Sequence, residues 1–167
     1  MLDLSAERIN IHAPYKVERV EVNTFLFTTK SGVVYYVGFS HDFSFMEENL
    51  YQFFITNVEH KHAPADSAIY ETIKVVIEEF FEQGQNVILY ICDSMDNRQA
   101  MRDRLFRIWF NTCFENKNIT LYNEQIEIDD TWYFAGIMLR KDNPSHNRII
   151  GQFHDFVQDI PNKWELL

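Results

Sequence analysis

The run NVILYIC at residues 86–92 decides how the chain is organised. From Val87 to Cys92 every residue is apolar, and the run is bounded by Gly84 and Asp93. A strand with one wet face alternates polar and apolar residues, because successive side chains point to opposite faces. An unbroken apolar run of this length instead fits a strand covered on both faces. Residues 87–92 are therefore expected as an inner strand of a sheet with helices packed on it.

Outward from this strand, the pattern changes on either side. Between Asp66 and Gly84, apolar residues fall at Ile69, Ile73, Val76, Ile77 and Phe80, the spacing of one helical face. Asp66 or Ser67 can cap that helix and Gly84 stands where it stops. Upstream, VERVEVNTFLFTTK (17–30), VVYYVGFS (33–40) and YQFFITNVE (51–59) are rich in β-branched and aromatic residues. Ser31-Gly32 offers a tight turn between the first two, and a polar connection near Met46 to Asn49 precedes the third, so the three read as an antiparallel meander. Downstream, a second helix is expected from about Asn97 to Glu115. ITLYNEQIEI (119–128) and TWYFAGIMLRK (131–141) then form a closing hairpin across Asp129-Asp130. Beyond the loop DNPS, residues 147–159 are the candidate last helix, through Ile149, Ile150, Phe153 and Phe156. The order is β-β-β-α-β-α-β-β with that candidate C-terminal helix, which makes the class α+β with a mixed sheet, in a single domain spanning 1–167.

Composition narrows the classes of function. A chain of 167 residues buries roughly 70% of its extended surface, enough for a core of its own. Apolar residues at 46%, with 15 Phe, exclude a disordered chain. No apolar run reaches the roughly 18 residues of a membrane span, so no membrane partner is expected. The opening MLDLSAERINIHAPYK has no basic flank followed by an apolar stretch, so no secretion signal is read there. Cys92 and Cys113 each lie in an apolar segment, which fits core thiols in a reducing compartment, and the expected location is cytoplasmic. The net charge of −10 repels phosphate backbones, so nucleic acid is not an expected partner. One local exception stands out: Arg98, Arg102, Arg104 and Arg107 form a basic island relieved only by Asp103.

That island begins at a polar corner, CDSMDNRQ (92–99), and supplies the candidate site: Asp93, Ser94, Asp96, Asn97, Arg98 and Arg102. At about 100° per residue, Met101, Leu105, Ile108, Trp109 and Thr112 share one side of the second helix, widened by Phe106, Phe110 and Phe114. Arg104, Arg107, Asn111 and Glu115 fall on the opposite, solvated side. Arg98 and Arg102 line up with Leu105 and Trp109, so Arg102 is expected to be buried and bonded to Asp93 or Asp96, since an unpaired buried guanidinium is expensive. Three readings follow. The corner is a structural joint, capped by Asp96 or Asn97 and fixed by an Arg102 ion pair; or Arg98 and Arg102 present their planar forks to a small anionic ligand; or Asp93 or Asp96 is catalytic. Elsewhere, His60-x-His62 lacks the accompanying ligands of a metal site, and no metal is expected. His41-Asp42 and His154-Asp155 are candidate halves of acid–base pairs, with loop polarity the simpler account. Ser94 lacks a nucleophile elbow, and neither cysteine has a basic neighbour.

The order of elements over residues 17–141 resembles the later two-thirds of the GNAT (Gcn5-related N-acetyltransferase) fold, with that fold's first strand and helix pair missing or reduced. Asn97-Arg98-Gln99-Ala100 stands where those proteins often carry Asn-x-x-Ala. The stretch Cys92-Asp93-Ser94-x-Asp96-x-Arg98-Gln99 is also similar to one in an uncharacterised family of small bacterial proteins. The GNAT resemblance implies acetyl-CoA, held by a glycine-rich loop at a helix start. Here the corresponding connection, HKHAPADSA (60–68), has no glycine; Pro64 removes a donor and Asp66 brings a negative charge. Arg104 stands where the family often places a tyrosine as general acid. The resemblance therefore points to a non-catalytic binding or interaction module without the standard coenzyme A loop and with no cofactor, its partner a protein or a small anionic ligand. The alternative is an N-acyltransferase using acetyl-CoA at an atypical site.

Overall fold

The computed structural model describes residues 2–46, 48–92, 98–114 and 117–164, with side chains as far as residue 161. Along the chain run α1 (Ala6–His12), β1 (Glu18–Glu21), β2 (Thr24–Thr28), β3 (Val34–His41), β4 (Leu50–Asn57), α2 (Ser67–Glu82), β5 (Val87–Cys92), α3 (Gln99–Phe114), β6 (Ile119–Ile128), β7 (Thr131–Arg140) and α4 (His146–Trp164). The strands form a seven-stranded mixed sheet in the order β1-β2-β3-β4-β5-β7-β6, so the class is α+β. The backbone falls into two compact units, Met1–Ser40 with Phe53–Asn86, and His41–Gln52 with Val87–Leu167.

In the first unit, β2 and β3 pair antiparallel from Thr24↔Gly38 to Thr28↔Val34, and Gly32 takes a positive φ of 78° in the turn between them. The segment expected as one strand, 17–30, is two, because the chain reverses at Asn23. Asn23 has a φ of 55°, a left-handed conformation that asparagine tolerates better than most residues. Its side chain accepts from Leu4 N at 3.0 Å and donates to the Leu2 carbonyl at 3.1 Å, pinning the N-terminal segment at the turn. The facing Gly38 is dictated by closeness: a Cβ there would lie 2.5 Å from the Asn23 carbonyl oxygen. α2 is capped by Asp66, which accepts from Ala68 N at 2.9 Å, and it buries Ile73, Val76, Ile77 and Phe80. Phe80 stacks on Phe39 with ring centroids 4.4 Å apart. α1 is too short to persist alone. Ser5 caps it, and Arg8 ties it to the buried Glu79 of α2.

In the second unit, β5 lies between β4, parallel from Leu50↔Val87 to Gln52↔Leu89, and β7, antiparallel from Ile88↔Met138 to Cys92↔Phe134. It is thus an inner strand. Val87 and Leu89, with Ala135, Ile137 and Leu139 of β7, pack against Ile149, Phe153 and Val157 of α4. Tyr90, pointing the other way, stacks on Phe106 of α3 with centroids 4.1 Å apart. Cover on both faces accounts for the unbroken apolar run. β6 and β7 pair along their full lengths, Ile119↔Arg140 to Ile128↔Thr131, and the hairpin turns on Asp129 and Asp130 with φ of 49° and 60°. Two positive φ values in a two-residue loop match the twist of the flanking strands. The last helix is longer than the span 147–159, reaching from His146 to Trp164.

Candidate functional site

Of the six candidate residues, Asp93, Ser94, Asp96 and Asn97 lie outside the described residues. Arg98 and Arg102 are both exposed, so the expected burial of Arg102 does not hold, and its expected bond to Asp93 or Asp96 falls outside the described residues. The cause is the rotation of α3. Its buried residues are Gln99, Asp103, Phe110 and Phe114, with Phe106 half-buried between them. These recur at helical spacing and define the side turned to the sheet. Met101, Leu105 and Ile108, expected inside, are instead 64%, 45% and 49% exposed.

A polar group in the sheet explains why the helix turns this way. The Tyr90 hydroxyl is buried and donates to Asp103 Oδ1 at 3.0 Å. Arg107 Nε meets Asp103 Oδ2 at 2.9 Å from the next turn of the same helix. The Asp103 side chain is only 1% exposed, so both of its oxygens are engaged where water does not reach. Gly136 faces Tyr90 across the β5–β7 ladder. A Cβ at that position would lie 2.1 Å from Tyr90 Cε1, so only glycine leaves room for the ring. Gln99 completes the buried row: its Nε2 donates to the Trp132 carbonyl at 3.1 Å, while its Oε1 has no partner among the described residues.

The electrostatics of this joint are those of a quiet structure. Burial raises the Tyr90 hydroxyl well above the ordinary tyrosine value, and the Asp103 charge and hydrogen bond add to it. The Cys92 thiol is pushed up to about 12, first by burial and then by Asp103, with Arg102 opposing. At neutral pH both groups keep their protons, so neither is an activated nucleophile or base.

The other side of α3 is the part that can meet a partner. Met101, Leu105 and Ile108 lie along one exposed line, and Arg98, Arg102, Arg104 and Arg107 are exposed around it. Apolar groups ringed by guanidinium groups suit association with another surface.

The remaining candidates separate clearly. His60 and His62 are both exposed, and among the described residues no group of His, Cys, Asp and Glu is placed to hold a metal ion. His41 packs against the rings of Phe43 and Tyr51, at 4.2 and 5.0 Å. His154 takes Glu124 as its partner, Nδ1 to Oε1 at 2.8 Å and 30 residues away in sequence, rather than the adjacent Asp155. That bond raises the His154 pKa. At the start of α2, Asp66 accepts from both Ala68 N and the Tyr15 hydroxyl, and the tyrosine bond lowers its pKa first. Among the described residues, no helix is long and apolar enough to cross a membrane.

Asp103 and Tyr90 were missed as site-shaping residues. The available signal was that Asp103, Phe106, Phe110 and Phe114 share one helical line; nothing in the sequence pairs Glu124 with His154. No curated protein and no solved structure matches the chain. Residues 65–155, which begin beside the α2 cap and include the Tyr90–Asp103–Arg107 joint and the Glu124–His154 pair, match a family of unknown function, DUF6169. The match covers more than half of the 167 residues, and the chain belongs to that family.

Proposed function

We propose that this chain is a cytoplasmic, GNAT-like, non-catalytic interaction module that docks an acidic protein segment on the outer face of α3. The observation that carries the reading is the exposed line Met101, Leu105 and Ile108 edged by arginines. A helix face covered by solvent alone would carry polar groups along that line. Charge complementarity sets the partner's sign, since the arginine face would attract an acidic amphipathic helix. The overall charge of −10 favours protein over nucleic acid. The GNAT-like part of the reading rests on the order of elements, and its non-catalytic part on two features. Asp66 fills the anion position at the α2 start with a carboxylate of its own, and Cys92 and Tyr90 hold their protons.

The test is an amide-shift titration of the full chain with a leucine–glutamate amphipathic peptide and a leucine–lysine counterpart. The acidic peptide should shift Met101, Leu105 and Ile108, the basic one should not, and Met101→Asp with Leu105→Asp should abolish the response. Equal shifts with both peptides, or none near α3 at millimolar peptide, would overturn docking there. Titration with acetyl-CoA tests the rest: a dissociation constant near or below about 10 μM, roughly 7 kcal/mol of binding, would replace this reading with an acyltransferase.

A further inference from the structure

An apolar hollow lies between the carboxyl end of β5, the β6–β7 hairpin and the later part of α4. Its volume is about 240 Å³, and its walls include Ile91, Ile126, Ala135, Phe156 and Ile160. Among the described residues, Glu124 is the one carboxylate that lines it. Ile91 is 44% exposed although its neighbours on β5 are buried, so the hollow opens to solvent at that residue.

Size and chemistry together select an occupant. A cavity of about 150 Å³ takes benzene, and drug-sized ligands need upwards of about 300 Å³. A hollow of about 240 Å³ fits a single ring with a short substituent. Glu124 Oε1 is already held by His154 Nδ1 at 2.8 Å, and among the described residues the second oxygen has no partner. A carboxylate oxygen accepts and never donates. We propose that this hollow binds a small single-ring apolar molecule carrying one hydrogen-bond donor, the ring against Ile126, Ala135 and Phe156 and the donor on Glu124. His154 is a positioning residue that fixes the carboxylate. The site is independent of the α3 face and stands whether or not a protein docks there.

The test uses the full chain and four probes of nearly equal size: benzyl alcohol, benzylamine, toluene and benzoate. Amide shifts are followed at Ile91, Ile126 and Ala135. The alcohol and the amine should bind roughly tenfold more tightly than benzoate, the change expected for one well-placed hydrogen bond. Glu124→Leu should erase that preference while toluene still binds, and Ile91→Trp should reduce binding of all four. The probe ranking on the unmutated chain decides the matter even where a variant folds poorly. Benzoate binding as tightly as benzyl alcohol, or no shift around the hollow with any probe at tens of millimolar, would overturn the proposal.

Discussion

Glu79 in the first unit and Asp103 in the second are both buried carboxylates, and each is held by an arginine that is about half exposed. Their remaining partners differ. Glu79 Oε1 collects Arg8 Nε at 2.8 Å, Arg8 Nη2 at 2.6 Å and Gln83 Nε2 at 3.1 Å, and Arg8 is 71 residues away on α1. Asp103 shares its oxygens between Arg107, one turn along its own helix, and the buried Tyr90 hydroxyl of the sheet. Loss of Glu79 would release an arginine that can turn to water. Loss of Asp103 would strand a hydroxyl with nowhere to go, and the full desolvation penalty would then fall on the folded state. The same kind of pair is a clasp in one unit and a requirement of the core in the other.

The largest effect should come from Asp103→Ala. It should destabilise the fold by about 3 kcal/mol in urea unfolding, because it breaks a buried network and leaves Tyr90 unsatisfied. Pairing Asp103→Leu with Tyr90→Phe should recover part of that loss, since replacing both polar partners is less harmful than replacing one. A double variant no more stable than the single would mean the hydroxyl is not what Asp103 serves. Next comes Gly136→Ala, with an expected loss of about 2 kcal/mol from overpacking against the Tyr90 ring. The loss should shrink in a Tyr90→Leu background, and an equal loss in both backgrounds would remove the ring as its cause.

Glu79→Gln should be milder, about 1 kcal/mol. Its sign should be local: faster amide exchange in α1, with β5 unchanged. If Glu79→Gln destabilised as much as Asp103→Ala, the distinction between clasp and core requirement would fail. The smallest effect concerns pH, where the surface pairs of the two units respond in opposite directions. Asp66 has a folded pKa below its ordinary value, so its contribution is present above the unfolded carboxylate pKa and lost as pH falls through the folded one. His154 has a folded pKa above its ordinary 6.5, so its contribution is complete below that value and lost as pH rises through the folded pKa. Protection of the amides at the start of α2, taken relative to their intrinsic exchange rate at each pH, should therefore fall on acidification, and that around His154 as pH is raised above neutrality. Asp66→Ala and His154→Gln should each flatten only its own trend.

Most of the architecture was legible because its signals are local. The unbroken run Val87 to Cys92, the Asp66 cap and the Asp129-Asp130 turn each depend on a few adjacent residues. The reversal at Asn23 was hidden because the strand-like alternation of 17–30 continues through it, and what holds it is a bond to Leu2 and Leu4 far along the chain. The existence of α3 was readable, but its orientation was not. Periodicity favoured the line of Met101 and Leu105, whereas burial follows Gln99 and Asp103, polar residues drawn inward by Tyr90 and by the Trp132 carbonyl. Of the candidate site, Arg102 was rightly placed on α3 but on the wrong side of the burial boundary, and Arg98 stands exposed just ahead of the helix, which begins at Gln99.

The raised pKa of Cys92 makes the joint measurable from within. Burial and the Asp103 charge hold the thiol well above its ordinary value, so its reactive thiolate fraction is far lower folded than unfolded. Cys113 is less deeply placed and would obscure the signal, so a Cys113→Ser chain leaves Cys92 as a single chemical clock. Its labelling rate by a thiol reagent then reports how often α3 lifts from β5, in the absence of denaturant and without a structural probe.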